Sequence, residues 1–506
     1  MADPQFILGT SISEMLTGME LDGEDPQKLD LGTNYLLYFV YDYLPHPPVS
    51  PTATLLPSGL PLLPDGVDRI SRLPNAVLRE IVSRLPAKDA ARTAALSSRW
   101  RPLWRAAPLS LVDSHLLPDG GAAGKFPIGV PSPRAVTAAV SRVHAAHPGP
   151  FRCVHLTRST MEEHRGEMSR WLDILVAKGV QELVFATIFG CASISACGGS
   201  RTPPPYRAAP DSPTSRSSAS AVMEDHDVAF MLERSPVLKF LVLMGSQTGV
   251  RLRLVSHSLR CVQLGFTMLE DIDVVDAPRL ERLFQWQIVS PGQVAMNCSS
   301  RIKIGRAPNL RVVGYLKPGD QELGISNTVI AGAKESIAPS VQILAIEVQF
   351  GLRNAVKKVP GFLRCFPNLE TLHVYSRRIS EESTGKVNLK FWQDAGPMKC
   401  VVQSMKKVFF YEFQGSRSEV AFLKFIAERG RVLEQMVVVV ASKCFSSGED
   451  NVRAKLKPLT SAKWSSKACK VEFSKSPHTE PGSPIYSNKI ASDFGFADPF
   501  DLLEYH

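Results

Sequence analysis

The sequence has few of the features that mark secreted or membrane proteins. Its longest apolar and aromatic run, Tyr35 to Leu44, is about ten residues long and contains Asp42, so it is too short to span a bilayer. The nine cysteines are scattered and form no Cys-x-x-Cys pair, which argues against a disulfide framework or a zinc site. The first residues are acidic rather than basic and then apolar, so we expect no signal peptide. We predict a protein of the cytoplasm and/or the nucleus, with no membrane partner.

Catalytic motifs are also missing from the sequence. It contains neither a Gly-x-Ser-x-Gly nucleophile elbow nor a dinucleotide-binding Gly-x-Gly-x-x-Gly. Residues 120–125 (GGAAGK) are only faintly similar to a phosphate-binding loop, because the spacing differs and Phe126 stands where a hydroxyl residue is needed. We therefore predict that the protein is not an enzyme and has no catalytic residue, metal or cofactor.

Composition and charge indicate an ordinary globular protein with one basic region. Apolar residues make up 44% and charged residues 21% of the chain, and its 506 residues suffice for two to four domains. Residues 68–105 hold nine basic side chains against three acidic ones, a local balance that favours an acidic partner surface. No aromatic and basic stacking platform accompanies these charges, so nucleic acid is the less favoured partner.

Residues 73–105 contain the most informative pattern, LPNAVLREIVSRLPAKDAARTAALSSRWRPLWR. Pro74 and Pro86 each follow a leucine and precede an apolar-periodic run, as prolines do at the start of helices. We predict a first helix after Pro74, a second from Lys88 to about Ala95, and a third that carries Leu96 and Trp100.

The ordered set Leu-Pro, Val-Leu, Ile, Leu-Pro, Arg-Thr, Leu-Ser, Arg-Trp and Leu-Trp resembles the F-box in its common plant form. The resemblance implies a three-helix module that docks on a Skp-type adaptor and, through it, on a cullin. Carried over by position, the following residues would supply the adaptor contact or the small core of the module: Leu73, Pro74, Val77, Leu78, Ile81, Leu85, Pro86, Leu96 and Trp100.

A second rhythm runs through residues 151–399. Short phrases such as PVLKFLVL, PRLERLFQW and PNLETLHVY recur, each with an apolar anchor before alternating apolar residues. The anchors stand at Leu238, Leu259, Leu280, Leu310, Val341 and Leu369. This spacing is at or slightly beyond the leucine-rich-repeat period and predicts stacked repeats with one strand each, in an irregular solenoid. An ordinary α/β domain with amphipathic strands is the alternative.

Residues 400–442 read as strand, turn, helix and strand. Ser416 or Ser418 can cap the helix with Glu419 in its first turn, and Gly430 can end it. This unit resembles the FBD that follows leucine-rich repeats in many plant F-box proteins.

The predicted fold class is α/β: a small three-helix F-box, an irregular horseshoe-like repeat solenoid and a strand-helix-strand C-terminal unit. The predicted boundaries are a mostly disordered leader at 1–66, the F-box at 67–112, and a connector with a helix at 113–150. The repeats follow at 151–399 with a disordered insertion at 190–222, then the FBD-like unit at 400–442 and a solvated basic tail at 443–506.

This order of segments predicts the substrate-recognition subunit of a Skp–cullin–F-box ubiquitin ligase. The F-box would bind the adaptor, and the strand face of the repeats, or the loops at one edge, would bind an unknown target protein. A non-ligase interaction scaffold and a small-molecule receptor of the F-box class are the alternatives.

Overall fold

The computed structural model describes residues 70–116, 133–156, 165–186, 229, 232–244, 250–265, 269–286, 300–325, 328–330, 333–335, 337–377, 387–447, 449–476 and 491–501. The predictions for the leader at 1–66 and for the insertion at 190–222 lie outside these residues. The chain divides into an N-terminal unit within residues 8–227 and a C-terminal unit within residues 228–243 and 249–506. No helix in the described part of the chain is long and apolar enough to cross a membrane.

Three short helices open the N-terminal unit: α1 (Asn75–Arg84), α2 (Ala87–Thr93) and α3 (Trp100–Ala106). Pro74 and Pro86 are the N-cap residues of α1 and α2, so the prolines start the helices as predicted. Leu96 differs from the prediction, because it lies in the turn before α3 rather than within a helix.

The helices do not form a free-standing module but pack on a small sheet. The strands β1 (Leu109–Val112), β2 (Phe151–Leu156) and β3 (Glu182–Ala186) are parallel, and the helices α4 (Pro133–Ala146) and α5 (Arg165–Lys178) connect them. The hydroxyl of Ser110 in β1 donates to the carbonyl of Ser83 in α1 at 3.1 Å. The sheet thereby buries apolar surface that three short helices could not bury among themselves.

His144 near the end of α4 is buried at the centre of this unit. Its ring meets Phe151 and Trp171 edge-on at 5.3 and 5.7 Å, and neither ring nitrogen has a hydrogen-bond partner among the described residues. Burial, with a smaller contribution from the charge of Lys178, lowers the pKa of His144 from 6.5 to about 4. The folded unit therefore requires the neutral imidazole.

This requirement predicts that acid destabilises the N-terminal unit. The unfolded chain binds a proton at His144 below pH 6.5 and the folded chain only near pH 4, so the stability is present above pH 6.5 and is lost as the pH falls towards 4. The loss should reach about 3 kcal/mol and should appear as faster hydrogen exchange in β2 and α4. His144→Leu should remove most of this pH dependence, and an unchanged dependence would contradict the assignment.

The C-terminal unit contains, in chain order, the strands β4 (Phe240–Met244), β5 (Val250–Val255), β6 (Cys261–Gly265), β7 (Leu269–Asp276), β8 (Arg282–Trp286), β9 (Ser300–Arg306), β10 (Val312–Leu316), β11 (Gln321–Ile325), β12 (Thr328–Ile330), β13 (Ala333–Glu335) and β14 (Ile343–Val348). It continues with α6 (Arg353–Arg364), β15 (Thr371–Ser376), α7 (Leu389–Asp394), α8 (Lys399–Gln403), β16 (Lys407–Phe413), α9 (Arg417–Arg429), β17 (Gln435–Val440), α10 (Glu449–Thr460) and β18 (Lys470–Lys475).

One long sheet runs through this unit in the order β4-β6-β8-β10-β14-β15-β16-β17-β18, and its paired strands are parallel from β6 onwards. A second parallel sheet has the order β11-β9-β7-β5. The early repeats therefore contribute two strands each, where the sequence analysis expected one. From α6 onwards, helices take the place of the second strand.

The predicted repeat anchors form one buried column. Leu238, Leu259, Leu280, Leu310, Val341 and Leu369 are all completely inaccessible to solvent. Next to this column the amide of Arg260 donates to the carbonyl of Lys239, and the same bond recurs from each repeat to the one before it: Glu281 to Arg260, Arg311 to Glu281, Gln342 to Arg311, Glu370 to Gln342, Lys406 to Glu370, Glu434 to Lys406 and Lys470 to Glu434. This ladder fixes the register between neighbouring repeats.

The strand-helix-strand unit has the structure that the sequence predicts. Helix α9 lies between β16 and β17, and Ser416 rather than Ser418 is its N-cap. The Ser416 hydroxyl accepts a bond from the Glu419 amide at 3.2 Å, and the Glu419 carboxylate accepts one from the Ser416 amide at 2.7 Å. Ser418 instead accepts a hydrogen bond from the Val387 amide. Gly430 is the C-cap, as predicted.

The solvated basic tail predicted after residue 443 is not what the structure shows. Helix α10 and strand β18 are ordered, and β18 extends the long sheet by pairing with β17. Residues 491–501 pack on the same sheet and bury Ala491 and Phe500 completely. The basic composition of residues 451–476 concealed this role, because every second residue of an edge strand faces solvent.

Candidate functional site

Exposed apolar side chains are concentrated in the three-helix region. Seven large apolar side chains are exposed in the described part of the chain, and four of them lie within residues 70–96. They are Ile70, Val77, Ile81 and Leu96, which are 57, 43, 37 and 67% exposed. Such a concentration marks an interaction surface, because isolated exposed apolar residues are common but clusters are not.

The nine residues predicted for the adaptor contact separate into three groups. Pro74, Val77, Ile81 and Leu96 are exposed, and Leu73 and Leu85 are half-buried. Leu78, Pro86 and Trp100 are buried.

Helical geometry explains this separation. Val77 and Ile81 are four residues apart, so they lie on one face of α1, whereas Leu78 and Val82 face the interior of the unit. The buried Leu78, Pro86 and Trp100 support the surface from below and are corrected here from contact residues to core residues. We name the exposed Pro74, Val77, Ile81 and Leu96 the apolar patch.

Arg99 holds the two halves of the apolar patch together. Its guanidinium donates to the carbonyl of Leu73 at 2.7 Å, to the Asn75 side chain at 2.8 and 3.1 Å, and to the carbonyl of Ser71. These bonds fasten the turn that carries Leu96 to the start of α1. The sequence analysis missed this role, because Arg99 is one of many arginines there and its partners are more than 20 residues away.

The charges around the patch leave it basic. Glu80 binds Arg84 at 3.1 Å and Arg152 at 3.2 Å, and Asp89 binds Arg92 at 2.8 Å. The hydrogen bond from Arg84 and the nearby Arg152 lower the pKa of Glu80, against a smaller opposing effect of burial. Both acidic side chains described in this region are thus paired internally, so the excess of arginine and lysine determines the surface potential.

The Arg99 contacts predict a specific effect of a conservative substitution. Arg99→Lys keeps the charge but loses the planar fork that binds several acceptors at once, so the start of α1 should loosen by about 1 kcal/mol. The expected observation is faster hydrogen exchange at the amides of Leu73 and Leu78. Arg101→Lys, at an exposed position of α3, should leave these rates unchanged, and equal rates in both variants would contradict the role of Arg99.

A group that could hold a metal ion lies in the sheet of the N-terminal unit. Cys153 and His155 are two apart on β2 and share one face, and Glu182 on β3 pairs with Cys153. One ligand atom from each side chain lies within 4.8 Å of the others, and His155 Nε2 is 3.1 Å from the Glu182 carboxylate. These ligand types suit zinc, given a further ligand.

The sequence analysis predicted no metal ligand and missed this group, because only strand pairing brings Glu182 beside Cys153. Burial, together with the negative charge of Glu182, raises the pKa of the Cys153 thiol well above its ordinary value. The thiol is therefore protonated at neutral pH and takes part in the buried hydrogen-bonded network.

Comparison with known families confirms the resemblance noted in the sequence. The F-box domain matches residues 70–110, and the FBD matches residues 393–438. The repeats described as "FBD-associated F-box protein At5g56370, LRR repeats" match residues 219–374. The chain thus carries an F-box, leucine-rich repeats and an FBD, in that order, in a mixed α/β fold.

Similar proteins from Arabidopsis thaliana carry the same combination of names. F-box/LRR-repeat protein At3g26922 is 31% identical over 118 residues, which are 23% of this chain and 35% of that protein. F-box/FBD/LRR-repeat protein At2g04230 is 49% identical over 51 residues, which are 10% of this chain and 11% of that protein. These matches span only about a third and a tenth of the relatives' own lengths.

Proposed function

We propose that this protein is the substrate-recognition subunit of a Skp–cullin–F-box ubiquitin ligase. The F-box binds a Skp-type adaptor, which connects it to a cullin, and the leucine-rich repeats bind a target protein. The subunit supplies proximity: it raises the concentration of target lysines near the conjugating enzyme, and the catalytic groups belong to other subunits.

The observation that carries this proposal is the apolar patch within the region that matches the F-box domain. Val77 and Ile81 expose apolar surface on α1, and Leu96 exposes more at the turn fastened by Arg99. A protein partner that covers these side chains gains the free energy of removing them from water. The basic surround favours an acidic adaptor and accelerates the encounter with it.

The cysteines support a reducing location for this complex. Cys153, Cys261, Cys365, Cys400, Cys444 and Cys469 are all free thiols. Free thiols are the usual state in the cytoplasm and the nucleus, where we place the protein.

The test is binding of the full chain to a purified plant Skp-type adaptor by titration calorimetry. The double substitution Val77→Ala and Ile81→Ala should weaken binding at least tenfold, because it removes exposed apolar contacts at the proposed interface. Stability should change little, because alanine is the best helix former and neither side chain is in the core.

The matched control is Val432→Ala in the C-terminal unit. Val432 is 40% exposed, close to the exposure of Val77 and Ile81, so its removal costs a similar exposed apolar area. It should leave adaptor binding unchanged. Adaptor binding of the double variant at wild-type strength, or no binding by the wild type, would contradict the proposal.

A further inference from the structure

Residues 491–501, which we name the C-terminal segment, lie across one face of the long sheet. Cys261, Gln263, Arg282, His373 and Tyr411 contact it. They belong to the strands β6, β8, β15 and β16, and their alternate spacing puts them on a single face. The sequence analysis assigned this strand face to the target protein and the C-terminal segment to a solvated tail.

The sheet binds the segment partly through its backbone. Arg282 is 4% exposed and donates to the carbonyl oxygens of Ala491 at 2.8 Å, Asp493 at 3.2 Å and Phe496. The Tyr411 hydroxyl donates to the carbonyl of Phe500 at 3.2 Å. A buried guanidinium that reads carbonyl oxygens recognises an extended peptide whatever its side chains are.

Two phenylalanines provide the apolar anchors. Phe500 is fully buried, and its ring centre lies 5.1 to 5.5 Å from those of Phe284, Tyr315 and His373. Gly314 leaves room for this ring, since a Cβ there would stand 2.8 Å from its Cζ atom.

Phe494 lies under two arginines instead. The guanidinium carbons of Arg260 and Arg282 are 3.9 and 4.5 Å from its ring centre. This cation–π geometry favours an aromatic side chain over an aliphatic one of similar size.

Charge adds a further element of recognition. The segment contains three aspartates and no basic residue. The Asp498 carboxylate lies 3.0 Å from His373 Nε2. Burial alone would raise the pKa of Asp498, but His373, the Phe500 amide and Lys407 hold it below its ordinary value, so the carboxylate is ionised at neutral pH.

These contacts have the division of labour seen in peptide recognition, with the backbone providing affinity and a few pockets providing specificity. We propose that this sheet face is a binding groove for an acidic target peptide with the pattern Phe-x-x-x-Asp-x-Phe, and that residues 491–501 occupy it as an intramolecular competitor. The inference rests on the proposed function, since it names the class of target that the repeats take.

The competitor sets a threshold for the target. A segment on the same chain competes at an effective concentration in the millimolar range, so a free peptide of similar intrinsic affinity is excluded. A target binds when its own affinity is higher or when the segment is weakened.

The test uses a fluorescent peptide with the sequence of residues 491–501, ASDFGFADPFD, and the full chain. The intact wild type should bind it weakly. The full chain with Phe494→Ala and Phe500→Ala should bind it at least tenfold more tightly, because the weakened segment no longer fills the groove. A scrambled peptide should not bind, and an unrelated acidic peptide with the same Phe and Asp spacing should compete.

Substitutions in the groove locate the binding site. In the Phe494→Ala and Phe500→Ala background, Arg260→Ala should weaken peptide binding at least threefold, because it removes one cation–π partner. Arg253→Ala is the matched control, since this exposed arginine lies in β5 of the second sheet, and it should have no effect.

A second format keeps the test decisive if the double variant does not fold. A protease site placed between Ser476 and Ala491 allows the folded full chain to be cut in place. The labelled peptide should then replace the cut segment at a measurable rate, with recovery of the native fragment. Unfolding on cutting, or failure of the peptide to exchange, would show that the segment is only part of the core and would overturn the proposal.

Adaptor binding takes no part in either format. Failure of the peptide experiment would therefore leave the ligase-subunit proposal standing, and failure to bind the adaptor would leave the peptide result unaffected.

Discussion

The backbone ladder that joins each repeat to the one before it is the constraint on which the rest of the C-terminal unit depends. The bond from the Arg260 amide to the Lys239 carbonyl recurs through the array to Lys470, beside the column of buried anchors that begins at Leu238. A repeat cannot bury its apolar face alone, so each one is stable only when its neighbours are in register. The ladder sets that register, and the register decides which strand residues share a face.

The order in the long sheet explains how residues far apart in sequence form one surface. Gln263 and Phe284 stand in one row because β6 and β8 pair in parallel, and His373 and Phe409 pair in the same way on β15 and β16. A polar or aromatic residue at alternate positions of each strand is thereby carried to the same face. The array presents a composite surface without any motif that is contiguous in the chain.

The N-terminal unit solves a different problem, because its three helices are too short to bury their apolar surface alone. Part of that surface packs on β1, where Ser110 binds the Ser83 carbonyl. The remainder stays exposed as the apolar patch, positioned by Arg99. The same unit therefore combines a core that holds the helices in place with a surface left for a partner. The proposed adaptor contact depends on this division.

Much of the fold could be predicted from the sequence, because it is encoded in local patterns. The repeat anchors, the prolines that start α1 and α2, and the capping box of Ser416 and Glu419 each need only residues a few positions apart. The domain order could be predicted for the same reason. Part of the adaptor-contact list could not, since Leu78 and Val77 are adjacent in sequence and equally apolar, and only packing separates the buried one from the exposed one.

Only the tertiary structure could reveal the long-range contacts. The Arg99 fork reaches residues more than 20 positions away, and Ala491 meets Cys261 across 230 positions. The second strand of the early repeats and the ordered C-terminal segment also depend on neighbours that no local pattern specifies. The sequence determined which elements form and in what order they stack, because periodicity and capping act over a few residues. The tertiary structure alone decided which faces are covered, because burial depends on all the elements that pack together.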